Sequence, residues 1–191
     1  MTNNAGSAPS RSDAPSHIYY FDVGAGNWQG EFTFRVTSWR RLRNTAGTGL
    51  RNRALVVAMA LTQRLTGASR LESTIVASPS AGAFGVADNV VRISRFGVTL
   101  YLLKERYLLA PDGRGVTVEA REQFGPVPGI LTRKFTYPAE IQPSGMGSTY
   151  HMPLLGSPWT ATYQVGADRQ SLAGELVCDW ARATENARRV S

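Results

Sequence analysis

The sequence predicts a mainly β protein: an antiparallel up-and-down β-barrel of about 8–10 strands, with one helical insert after the first strand and a short C-terminal helix. Three observations lead there. Residues 28–37 alternate, with Trp28, Gly30, Phe32, Phe34 and Val36 on one face and Gln29, Glu31, Thr33, Arg35 and Thr37 on the other. That period of two marks a half-buried strand. Further strand-like segments then recur roughly every 10–15 residues with turn signals between them, the pattern of a meander. Only Leu50–Thr66 carries a convincing helical spacing.

Residues 1–16 are rich in Ser, Asn, Ala, Gly and Pro and lack an apolar stretch, which predicts a disordered tail and leaves 17–191 as one domain. After the first strand, Gly47 and Gly49 break the chain. In the helix, Leu50, Ala54, Val57, Leu61 and Leu65 form an apolar stripe expected to pack on the core, and Gly67 is a plausible stop. Strands are then expected at residues 70–78, 83–95, 97–109, 115–124, 130–141, 147–155, 159–166 and 171–180. The turns lie at Pro111-Asp112-Gly113, Gly125–Gly129 and Pro143-Ser144-Gly145. Eight or nine such strands tend to close, because closure removes exposed edges. Trp180–Val190 reads as a short C-terminal helix packed against one end.

The chain has 191 residues and a net charge of +7. Eight arginines (Arg35, Arg40, Arg41, Arg43, Arg51, Arg53, Arg64, Arg70) fall between Phe32 and Leu71, with no acid among them. That cationic insert suggests a portal for an anionic guest, with Arg51 and Arg53 at the entrance, or a docking surface for an anionic membrane. Nucleic acid is disfavoured, because the cluster lacks interleaved aromatics beyond Trp39. The lone Cys178 excludes an internal disulfide framework and fits a reducing, cytoplasmic setting.

The segment Gly26-Asn27-Trp28-Gln29-Gly30, followed by an alternating strand, resembles the G-x-W opening of the calycins, the lipocalin and fatty-acid-binding barrels. The resemblance implies a single calycin-like barrel over 17–191, a tryptophan plugging its closed end, and a lid-like helical insert. Two elements depart from it: Thr162-Tyr163 lacks the acid of the lipocalin T-D-Y element, and 171–180 lacks an R-x-Y clamp. The G-x-W-x-G form is also similar to nitrobindin-type haem barrels, which would need an inner-wall histidine near the chain's end. His151 lies off the face of Tyr150, Met152 and Leu154, so haem has little support and no cofactor is expected.

Ionisable groups on apolar strand faces mark the candidate site, since an unpaired buried charge is costly. Glu105 lies on a face with Tyr101, Leu103 and Tyr107, Glu122 with Val116, Val118 and Phe124, and Arg133 with Leu131, Phe135 and Tyr137. Turned inward on neighbouring strands, these residues would share one interior. Arg133 could then grip a ligand carboxylate, with Tyr107, Phe135, Tyr137, Tyr150, Trp28, Phe32 and Phe34 around it. The expected function is binding of a hydrophobic small molecule with a polar or acidic head. The alternative is an enzyme of the cyclase or isomerase type, with Glu122, Glu105 and Tyr101 as acid–base groups. A structural ion pair explains the same charges equally well. Two histidines and one cysteine are too few for a metal site, and no G-x-S-x-G, P-loop or dinucleotide motif is present.

Overall fold

The computed structural model describes residues 14–45, 49–78, 85–110, 115–125 and 132–191, except for the side chains of residues 51 and 52. Ten strands form a closed antiparallel barrel in which each pairs with its sequence neighbour and the last returns to the first. They are β1 (Gly26–Val36), β2 (Ser69–Ser78), β3 (Val86–Arg95), β4 (Val98–Leu109) and β5 (Gly115–Phe124), then β6 (Thr132–Ile141), β7 (Gly147–Met152), β8 (Trp159–Val165), β9 (Ser171–Val177) and β10 (Ala181–Val190). Alternate side chains of every strand point inward and build one aromatic-rich core.

One end of the barrel is closed by the residues just before β1. A helical turn, Pro15–His17, runs into a wider turn of helix, Ile18–Val23, which buries Tyr19, Tyr20 and Val23. The Tyr20 hydroxyl lies 3.0 Å from that of Tyr150. Trp28 is buried here, donating Nε1–H to the Gly24 carbonyl at 2.8 Å, and the Arg189 guanidinium lies 4.9 Å from its ring centre. The two glycines flanking Trp28 are needed for different reasons. Gly26 has φ +124°, a left-handed backbone, while a Cβ on Gly30 would lie 1.8 Å from the Asn186 carbonyl oxygen of β10.

The other end carries the insert. Ser38 caps a short helix, Trp39–Asn44, and the lid helix Leu50–Thr66 follows. Gln63 fastens the lid where β1 runs on beyond its pairing with β2: its amide donates to the Phe32 carbonyl and Ser69 Oγ and accepts from the Phe34 N–H.

Three expectations need correction. Trp180–Val190 is not a helix: Ala181–Val190 is β10, pairing with β9 and β1 to close the barrel. Its residues favour helix locally, but both flanking edges would stay unpaired without it. The lid stripe is reversed: Val56, Met59, Ala60 and Gln63 face the barrel, while Leu50, Ala54, Val57, Leu61 and Leu65 face outward. The helix is apolar on most sides, so the anchoring of Gln63 to β1 selects its inner face. Of the expected tail, residues 1–13 lie outside the described residues, whereas Ala14 and Ser16 are buried in the plug. The Pro111-Asp112-Gly113 turn, residues 126–129 of the second connection and Leu131 also lie outside them.

Candidate ligand site in the barrel interior

The interior holds a cavity of about 100 Å³. On the same measure a single water needs about 10–15 Å³, so the space suits a compact guest of several water-sized groups. Its walls are mostly apolar: Phe32 and Phe34 from β1, Met59 from the lid, Leu154 and Leu155, and Trp159 from β8. Polar groups gather toward the plugged end, and they come from both sides of the barrel.

On one side stands Glu105. Asn89 faces it directly across β3 and β4, and Tyr107 follows it on β4. The Tyr107 hydroxyl donates to Glu105 Oε2 at 2.5 Å and Asn89 Nδ2 donates to the same oxygen at 3.0 Å. The Tyr137 hydroxyl donates to Oε1, and Ser73 Oγ donates to Asn89 Oδ1 at 2.9 Å. Burial raises the Glu105 pKa, opposed by the hydrogen bonds from Tyr107, Tyr137 and Asn89. Burial, and then the nearby Glu105 charge, hold the Tyr107 and Tyr137 hydroxyls well above the usual phenol range, so both remain donors.

On the other side stands Glu185, in register with Gly174 on β9, which is itself in register with Tyr163 on β8. A Cβ on Gly174 would lie 2.5 Å from the Tyr163 ring. The missing side chain therefore makes room for the ring, and the Tyr163 hydroxyl bonds to Glu185. Burial, reinforced by the charge of Glu105, pushes the Glu185 carboxyl up to about 7. Two carboxyls thus border one low-dielectric cavity, one held by three donors and the other biased toward its protonated form. No Lys, Arg or His is among the described residues lining the cavity.

The structure divides the expected site residues into two groups. Tyr101, Glu105, Tyr107, Tyr150, Phe32 and Phe34 line the cavity. Glu122, Arg133, Phe135, Tyr137 and Trp28 do not, though all but Phe135 and Arg133 are buried. Arg133 Nε lies 3.2 Å from Glu122 Oε1, its side chain 37% exposed, and its guanidinium stacks 4.8 Å from the Phe135 ring centre. The Tyr101 hydroxyl approaches Glu122 Oε2 at 3.4 Å, so Glu122 sits behind this wall tyrosine. Burial pushes the Glu122 carboxyl up to about 7, opposed by Arg133. At the expected portal, Arg53 donates to the Thr45 carbonyl at 3.4 Å, while the Arg51 side chain lies outside the described residues. His151 is exposed on the outer wall, 3.5 Å from Thr160 Oγ1.

Glu185, Tyr163, Gly174 and Asn89 escaped the sequence reading. Glu185 was hidden by the helical reading of 180–190, although its alternation with Ala181, Ala183 and Ala187 is a strand signal. Asn89 was visible in principle as the one amide among Ala87, Val91 and Ile93.

Fold and site together define a closed ten-stranded antiparallel barrel with an interior cavity of mixed polarity. No protein-family model, curated protein or solved structure matches the chain. No described helix is long and apolar enough to cross a membrane.

Proposed function

We propose that this protein is a calycin-like barrel that holds a compact hydrophobic molecule, with the polar head of its guest at the Glu105–Glu185 end of the cavity. The supporting observation is a largely apolar cavity bordered by two buried carboxyls and several tyrosines, with no cation among its described lining. Such a floor favours a hydrogen-bond-donating or basic head, an alcohol or an amine, over a carboxylate. An anionic head would enter a low-dielectric space that already holds two carboxyls, with no cation to pair with it. Arg133, the expected carboxylate grip, is instead committed to Glu122 outside the cavity. The reading includes no cofactor, and the single Cys178 supports a reducing compartment.

Matched hexylamine, hexanol and hexanoate test this, followed by the fluorescence of Trp159, which lines the cavity. The amine and alcohol are expected to bind and the carboxylate to bind at least tenfold more weakly. Failure of all three, and of larger lipophiles, would remove the proposal.

A second reading, an enzyme that protonates or isomerises its guest, is favoured by Glu185. Its carboxyl titrates near neutrality beside the cavity, where a general acid is most effective. Glu185→Gln should then retain binding and lose turnover, whereas a carrier has no turnover to lose.

A further inference from the structure

The outward face of the lid presents an apolar surface that the cavity does not use. Leu50, Ala54, Val57, Leu61 and Leu65 are spaced by four, three, four and four residues, so they form one stripe along the helix. It is turned to solvent, with Leu50 83%, Val57 38%, Leu61 52% and Leu65 82% exposed. Lone exposed leucines need no explanation, but a contiguous apolar stripe does.

A second element brings another apolar residue to the same end. Phe96 and Gly97 form the two-residue turn between β3 and β4, with φ +49° and +77°. Such a turn favours Asn or Asp at its first position, and a phenylalanine there is uncommon. Phe96 is nonetheless 79% exposed, and Val98 beside it is 47% exposed. Arg95 ties this turn to the end of the lid by donating to the Ala68 carbonyl, and its guanidinium lies 4.9 Å from the Phe96 ring centre.

Charge bears on what could cover this surface. Arg40, Arg41, Arg43 and Arg64 are exposed on the two insert helices. Of the nearby acids, Glu72 is paired with Arg70 at 2.8 Å, and Asp179 is exposed in the loop before β10. A second copy of the chain would bring a like-charged insert against this one, with six arginines between β1 and β2 on each side. An anionic bilayer satisfies both features: leucine and phenylalanine side chains enter the acyl boundary while arginine stems extend to the phosphates.

We infer that the lid helix and the Phe96 turn together form a docking surface for anionic phospholipid membranes. Co-sedimentation of the full chain with phosphatidylcholine vesicles, with and without phosphatidylglycerol, tests this. Binding to the anionic vesicles is expected to be at least tenfold tighter and to weaken with added salt. Leu61→Ser/Leu65→Ser and Phe96→Ser should each weaken binding by on the order of tenfold, since each removes side chains that would enter the bilayer. These positions are exposed, so near-UV circular dichroism and Tm should be unchanged. Absence of vesicle binding would overturn the inference. So would salt-sensitive binding indifferent to the leucine and phenylalanine variants, which is adhesion by charge alone. A wild-type dimer abolished by Leu65→Ser would give the surface to a second copy, and binding to polyglutamate but not to vesicles would give it to an acidic protein.

Discussion

Glu122 and Glu185 are both buried carboxyls pushed up to about 7, yet they occupy opposite electrostatic situations. Behind the Tyr101 wall, Glu122 has a cation at 3.2 Å that opposes the effect of burial. At the cavity floor, Glu185 has a second carboxylate, Glu105, that adds to it. The difference separates a structural pair from a candidate site. Attraction stabilises the first in place, whereas repulsion at the floor persists until a guest or a proton relieves it.

The largest test of this contrast is Glu105→Ala. It leaves the Tyr107, Tyr137 and Asn89 donors buried without their acceptor, at a cost of about 3–5 kcal/mol. For a chain of this size Tm should fall by roughly 10 °C, and an unchanged Tm would show that the floor network contributes nothing to stability.

The pH dependence of stability comes next. A folded pKa raised from 4.5 to about 7 means that the native state holds the Glu185 proton after the unfolded chain has released it. Stability is therefore lost as pH rises from about 4.5 to about 7 and is level above that, a change on the order of 3 kcal/mol. Denaturant midpoints should be higher at pH 5 than at pH 8; Glu122, pushed up equally far, adds a similar slope, so Glu185→Gln should remove only about half of that difference. A variant that keeps the full slope would assign it elsewhere.

Gly174→Ala is expected to cost about 1–3 kcal/mol by forcing the Tyr163 ring off its seat. It should also weaken hexylamine binding, because Tyr163 would no longer hold Glu185. The smallest effect is expected from Arg133→Leu, about 1 kcal/mol, because the guanidinium is partly solvated and Glu122 can take up a proton. Hexylamine affinity should be unchanged. If Arg133→Leu instead weakened hexylamine binding as much as Gly174→Ala, the distinction between wall and floor would collapse.

Much of this was legible from residue order. Strand alternation grouped Glu105, Glu122, Tyr107 and Tyr137 on faces that the structure turns inward, and strand order put Glu122 and Arg133 on neighbouring strands, where the structure sets them in register. Periodicity does not report depth along a strand, so it gave no sign that Arg133 lies outside the cavity while Glu105 borders it. Local propensity misread β10, because a strand of Ala, Arg and Glu exists only through the neighbours on either side of it. Hydropathy likewise gave no means to orient the lid, a helix apolar on most faces whose inner side is selected by one amide, Gln63, reaching the edge of β1.

That amide has a kinetic consequence. Gln63 holds the backbone of Phe32 and Phe34, whose rings line the cavity, so swinging the lid away strips partners from the main chain beside the cavity. For a guest held as proposed, residence time inside the barrel would be governed by how often the three bonds of Gln63 break together, and exchange would be slow even for a weakly bound occupant.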